Sequence, residues 1–499
     1  MDARAQPTTS SIPAGYPRVA RGVLAVAVAL HLSLLLSLGM GFWNPFTFDS
    51  VATRGERGWD LFALYQAGHN VLSGVSAYES ANDAIEVVVP RYTPFRYLPV
   101  SAYTVGLALN ALPPTSAYWL WIALTEALLV GCAALSSRLA PDRRRGAVMA
   151  AMWLCFTPYY LEVYLGQFNV VQAALVLLMM AGAKPLTRRP LTPTLSPEYR
   201  GEGADASPAA LPPEYRGERV DTPRHVPLPG TPGGGYRRGV ASGGGSASPL
   251  PDPPSGVPGR GGRGVVLGAA WVLSLLWKQN TGLLVPLFLR QRRWRLLAAA
   301  ALAVAVTSVP YFIAQPGSLE AFLGNLSSGA PAANLGNLGA RQFLYSLASA
   351  LAPGLSPTAH LWLQRAWVTI IVSVGLGLTL RDRRPPTLLH LCLWTTSYLL
   401  IYHHVWEHHY ILALPALVML YRRDGSPWVL TLWALLAVWT PYALVDPGGV
   451  AAYHAPMRWT PLEPPIIDVA YHGAKALPAV ALWAHVVAAI ARGPRGEAP

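Results

Sequence analysis

The sequence predicts an all-α, polytopic membrane bundle of about twelve spans. Three observations carry this. Only 13% of the 499 residues are charged and 52% are hydrophobic, at a mean hydropathy of +0.32, whereas a soluble domain carries roughly 25% charged residues. The 17 tryptophans suit the interfacial belts of a membrane protein. Lysines and arginines fall in short tracts between apolar runs, as the positive-inside rule requires. That patterning, rather than nucleic-acid binding, accounts for the formal charge of +13. Cys132, Cys155 and Cys392 lie in apolar segments without paired spacing, so neither a disulfide framework nor a zinc knuckle is expected.

The elements follow in order. Residues 1–21 form a cytoplasmic tail, and "RVARGVLAVAVALHLSLLLSLGMGFW" starts basic and ends aromatic, so the chain exits near Trp43. The first part of the membrane domain, 22–185, contains an outer loop, 44–97, followed by the short run "LPVSAYTVGLALNALPP". "SAYWLWIALTEALLVGCAALSSRL" returns to the basic turn "APDRRRG"; "AVMAAMWLCFTPYY" goes out and "GQFNVVQAALVLLMMAGA" comes back. From 186 to 264 proline, glycine and serine dominate, and "SPEYRGE" recurs as "PPEYRGE". Such a segment buries too little apolar surface to offset its ordering entropy, and reads as a disordered cytoplasmic insert.

The second part, 265–492, continues with "VVLGAAWVLSLLW" outward and "GLLVPLFL" back to "RQRRWR". An exit from Leu296 to Ala314 leads to an outer loop, and "LWLQRAWVTIIVSVGLGLTL" returns to "RDRRPP". "LLHLCLWTTSYLLIY" goes out to "HHVWEHH", "YILALPALVML" returns to "YRRDG", and two last spans precede a tail at 493–499.

This threading puts Asp49, Asp60, Arg91, Arg96, Gln167, Asn169, Lys278, Asn280, Asn337, Arg341, His408 and His409 on the outer face, while the inner turns carry almost only basic residues. Charges of both signs at one end of a bundle describe a site. Each residue also has a plainer reading. Asp60 and Asp49 could be helix N-caps, Lys278 could snorkel, and Glu126, alone in "WIALTEALLV", could tie two helices together. His404 and His408 stand i, i+4 and could share a metal, but the order is not His-Glu-x-x-His. No metal or other cofactor is expected; the histidines read better as hydrogen-bonding partners of an anionic ligand. No phosphate loop, dinucleotide fingerprint or nucleophile elbow is present.

Together, "WDLFALYQAG…LSGVSAY", "YTPFRYLPV", "YLGQFNVVQAALVLL", "LGAAWVLSLLWKQNTGLLVPLFLRQRRWR" and "VWEHHYILALPAL" resemble glycosyltransferase family 87, the polyprenyl-phosphate-mannose-dependent α-mannosyltransferases of the GT-C superfamily. The resemblance implies a hexosyltransferase of the bacterial plasma membrane with an extracytoplasmic site. It would take a sugar, mannose by the family's habit, from a polyprenyl phosphate to a lipid or glycan acceptor. The family's first-loop aspartate base matches Asp60, ahead of Tyr65, Gly74 and Tyr78, with Asp49 the other candidate. Its lysine matches Lys278, and its histidine turn matches Trp406, His408, His409 and Tyr410. Tyr65, Gln167, Asn169, Asn337, Lys278, Arg341, His408 and His409 are the expected substrate and phosphate contacts. The family's polar triplet is replaced by Asn337-Leu338-Gly339. The alternatives are a lipid or small-molecule transporter, which should show polar groups near mid-membrane or repeated halves, and a non-catalytic scaffold. Clustering of the outer-face residues in one cleft favours the enzyme.

Overall fold

Apolar runs can cross lipid only if their backbones are hydrogen-bonded internally. In the computed structural model the runs are accordingly helical, and no strand occurs among the described residues. The structure describes residues 16–44, 57–79, 94–183, 260–327, 336–381, 388–440 and 462–493. Asp49, Arg91 and nearly all of the segment read as an insert lie outside them.

The chain opens with α1 (Tyr16–Met40) and α2 (Trp59–Leu72). α3 (Pro99–Leu109) contains a π-helical stretch, Ala102–Gly106, and leads to α4 (Pro114–Leu139). α5 (Arg143–Leu154) and α6 (Tyr159–Leu165) form a pair bent by 43°. α7 (Asn169–Gly182) follows, and α8 (Arg260–Trp277) takes in the last residues of the stretch assigned to the insert. After the 3-10 turn Gln279–Leu284 come α9 (Val285–Arg290), α10 (Trp294–Ala314), α11 (Ser318–Ser327), α12 (Ala340–Leu351), α13 (Pro357–Arg381) and α14 (Leu388–Ile401). A second 3-10 turn, Glu407–Ala413, runs directly into α15 (Leu414–Asp424), ahead of α16 (Pro427–Ala437) and α17 (Pro465–Arg492).

Among the described residues five helices, α1, α4, α10, α13 and α17, are long and apolar enough to cross a membrane singly, and the bent α5–α6 pair would make a sixth. α3, α7, α14, α16 and the Val265–Trp277 part of α8 are apolar but only 10–17 residues long. The reading of about twelve spans counted these, α3 apart, as crossings. A 14-residue helix such as α7 reaches about 21 Å, short of the roughly 30 Å of hydrocarbon.

α5 packs between α1 and α4, α7 lies along α8, and α17 is held by α12, α14 and α16. Glu126 of α4 is 2.8 Å from His31 Nε2 of α1 and accepts the Tyr159 hydroxyl of α6, so this half-buried carboxylate does tie helices together. The bundle has two unlike ends. At one, Arg422 Nε donates to Leu139 O (2.6 Å) and Arg145 donates to Arg422 O (3.4 Å), bringing two basic turns together. At the other, Trp121 Nε1 donates to Gln167 O (3.2 Å) and Tyr118 to Val163 O (3.0 Å). About 27 Å of α4 separates Trp121 from Leu139 at 1.5 Å per residue.

Candidate active site

Asp60 lies in the first turn of α2, but the N-cap is Gly58, not a side chain. Gly58 has φ +81° and donates its N–H to Tyr164 O (2.9 Å). A Cβ there would lie 2.7 Å from Phe62 and 3.0 Å from Tyr118, so only glycine fits. The capping role is therefore taken by backbone. Further along, Gly68 meets Gly106 of α3 so closely that a Cβ on Gly68 would stand 2.3 Å from the Gly106 carbonyl carbon. Tyr65 donates its hydroxyl to Leu112 O (3.0 Å), and Asn110 donates to Tyr65 O (2.8 Å). Tyr65 thus pins α2 to the α3–α4 turn.

α6 supplies a second carboxylate, absent from the sequence reading. Glu162 is 0% exposed. Its Oε1 accepts Val170 N–H and its Oε2 accepts Asn169 Nδ2, each at 2.9 Å, capping α7 from the preceding helix. Asn169 Oδ1 in turn accepts the Lys278 ammonium at 2.7 Å. Burial pulls the Lys278 amine below the ordinary lysine range, while the charges of Glu162 and Asp60 oppose that shift. Next to it, Asn280 accepts from Gln172 (2.6 Å). Gln167 Oε1 accepts Phe168 N–H at 3.4 Å, within the turn itself. The local signal for Glu162 was a single carboxylate in the apolar "YYLEVYL", four residues ahead of "GQFN".

The histidine turn is built from behind. Asn337 Nδ2 donates to His403 O (2.8 Å), its Oδ1 accepts Val405 N–H (2.9 Å), and Leu338 N–H reaches Val405 O (2.7 Å). Asn337 therefore shapes the backbone of the turn. Glu407 is neutralised by Lys475 of α17 at 3.2 Å and accepts Thr440 N–H (3.1 Å); Lys475 also donates to Leu436 O and Val438 O. His409 Nδ1 accepts Trp406 N–H (3.0 Å). His408 is 1% exposed, and neither ring nitrogen has a hydrogen-bond partner among the described residues. Burial holds both His408 and His409 well below the usual imidazole range; Lys278 and His404 add to this for each, and His408 also for His409. A neutral imidazole in each is the consequence at neutral pH.

These turns meet. Tyr97 is pushed well above the ordinary phenol range by burial first, then by Asp60, Tyr402 and Glu162, against Arg96. Tyr402 stacks on Tyr398 and is acted on by Arg96 and Asp60. His403 is lowered by burial, then by Arg341 and Arg96, and Arg341 itself donates to Gln364 (3.0 Å). Asp60, Lys278, Asn169, Arg341, His408 and His409 thus fall into one electrostatically coupled cluster, joined by Arg96, Tyr97, Glu162 and Tyr402, which the sequence reading did not name as ligands. Tyr65, Asn337 and Gln167 face backbone partners instead, and Asp49 lies outside the described residues. Among the described residues no three His, Cys, Asp or Glu side chains are grouped as metal ligands would be.

The chemistry available is a half-buried carboxylate in reach of a lysine's field, beside a neutral imidazole with two uncommitted nitrogens. No curated protein matches the chain. Residues 92–195 match the model of glycosyltransferase family 87, the family that the sequence motifs resemble; the matched stretch holds Arg96, Tyr97, Glu162, Gln167 and Asn169 and marks the chain as a glycosyltransferase.

Proposed function

We propose that the protein transfers a hexose, mannose by the family's habit, from a polyprenyl phosphate to a lipid or glycan hydroxyl, on the extracytoplasmic side of a bacterial plasma membrane. The observation that carries this is that Lys278 lies within electrostatic reach of both Asp60 and His408, at the end of the bundle opposite the basic turns. Basic turns face the cytoplasm, which turns this cleft outward.

A phosphate leaving group needs little protonation, so one carboxylate suffices where a glycosidase uses two. Asp60 takes the acceptor's proton as the hydroxyl oxygen bonds to the anomeric carbon. The bond from that carbon to the phosphate oxygen breaks, and the polyprenyl phosphate leaves with the electron pair. Lys278 meets the developing charge, and a neutral His408 donates an N–H to a phosphate oxygen. No step in this scheme uses a divalent metal.

The test is mass spectrometry of lipid-linked sugars and glycans in cells with and without the protein, and with Asp60→Asn or Asp49→Asn. Loss of one glycan and accumulation of its donor, reproduced by Asp60→Asn and not by Asp49→Asn, is expected. Asp60→Asn should lower transfer by roughly a hundred- to ten-thousand-fold. An unchanged glycan profile without the protein refutes the transferase reading, and an active Asp60→Asn refutes the base assignment.

A further inference from the structure

The two atoms of the Asn169 amide have opposite partners, and these decide its orientation. A carboxylate only accepts hydrogen bonds and an ammonium only donates them. With Nδ2 on Glu162 Oε2 and Oδ1 on Lys278 Nζ, both are satisfied. The flipped amide would set an oxygen against the carboxylate and an NH2 against the ammonium. Glu162 is itself fixed because its other oxygen accepts Val170 N–H at the start of α7. The buried carboxylate therefore dictates which way Asn169 points, and so where the lysine ammonium stands.

We infer that Glu162 is a positioning residue, holding the Lys278 ammonium over the reacting phosphate through Asn169. The inference rests on reading the cleft as a sugar-transfer site. It makes Glu162 and Asn169 necessary to transfer although neither touches the donor.

The arrangement predicts a rescue. In Glu162→Gln, one of the two oxygens becomes an NH2 that must face either Val170 N–H or Asn169 Nδ2, both donors. The amide of Asn169 escapes by flipping, and its NH2 then repels Lys278. In Asn169→Asp the new carboxylate confronts Glu162. In the double variant the amide oxygen introduced at position 162 accepts Val170 N–H, and its NH2 donates to the carboxylate introduced at position 169. The free oxygen of that carboxylate accepts Lys278. The charge has moved to the next group in the chain of hydrogen bonds, which stays intact.

Two readouts on the full-length protein in detergent test this. The first is the rate of Lys278 acylation by a small amine-reactive ester, followed by peptide mass spectrometry. Acylation requires the neutral amine, so losing the carboxylate and the hydrogen bond both accelerate it; about threefold or more is expected in Glu162→Gln. Asn169→Asp, with an added carboxylate, should slow it, and the double variant should lie near wild type. The second readout is transfer. Each single variant should lose roughly 10- to 100-fold and the double should recover most of it, the signature of a directly coupled pair.

Unchanged acylation in Glu162→Gln, or a double variant no better than the singles, overturns the positioning role. If Glu162→Gln does not accumulate, the opposite-signed response of Asn169→Asp and the recovery in the double decide alone. Acylation is read without any sugar. A wild type that transfers nothing therefore refutes the proposed function and with it the catalytic part of the inference, while acylation still decides whether Glu162 sets the ammonium through Asn169; normal transfer with unchanged acylation refutes the inference alone.

Discussion

His408 is buried with two uncommitted ring nitrogens, and its neighbour His409 has one nitrogen occupied by backbone. Both imidazoles are depressed below their ordinary value of 6.5, chiefly by burial. The unfolded chain therefore binds more protons than the folded one as pH falls through and below that value, so stability rises with pH there. The contribution is complete above about pH 6.5 and is lost on acidification, by up to about 1.4 kcal/mol per group for each unit of displacement. Thermal unfolding of the detergent-solubilised protein should be flat from about pH 8 to pH 7 and decline towards about pH 5. His408→Phe, which keeps a ring but cannot titrate, should decline less steeply; an equal decline would mean that His408 is not held neutral by the fold.

Two contacts between elements set the cleft. α2 crosses the π-helical stretch of α3 backbone to backbone at Gly68 and Gly106. An added methyl has no space to enter, because the obstructing atoms belong to the main chain. Gly68→Ala should cost about 1–3 kcal/mol and tilt α2, carrying Asp60 with it. A variant of unchanged melting temperature and full activity would show that the two helices do not cross this closely. The other contact is the buried pair of Glu407 and Lys475, 2% and 1% exposed at the side chain. Lys475→Met leaves an uncompensated carboxylate and should destabilise by about 3–5 kcal/mol. Adding Glu407→Leu removes the orphaned charge and should restore most of that loss. If the double variant melts no higher than Lys475→Met, the ion pair is not what holds α17 to the histidine turn.

At the scale of the whole molecule the unlike ends of α4 and α15 imply a fixed orientation. Reporters fused after Lys184 and after Arg422 should behave as cytoplasmic, and one near Gly329 as external. An external readout after Lys184 would separate the halves of the cluster and remove the basis of the proposed mechanism. The stretch from Pro193 to Gly259 lies outside the described residues. Deleting most of it should leave expression and transfer nearly intact, since its proline-, glycine- and serine-rich sequence offers little apolar surface to bury. Loss of either on deletion would mean that the stretch packs or recruits.

Much was decided by the sequence. Hydropathy and the spacing of the basic tracts are local properties, and they sufficed for an all-helical membrane bundle; the quoted motifs carried the resemblance to the family whose model matches residues 92–195. Tertiary structure alone decided which polar residues face the cleft and which brace it. Asn337 and Tyr65 were legible as polar residues in the right turns, yet their side chains serve backbone groups at 403, 405 and 112. Glu407 gave no hint that its partner would be Lys475, because the pairing depends on how α17 folds back over the turn. Glu162 went unnamed in the sequence because it differs little there from Glu126, a single carboxylate in an apolar run, and the two are separated only by their surroundings. One meets a histidine and a tyrosine; the other meets Asn169, and through it Lys278. A charge in an apolar segment is visible in the sequence because its cost is local. Its partner is set by packing between helices distant in the chain, and there the physical role is decided.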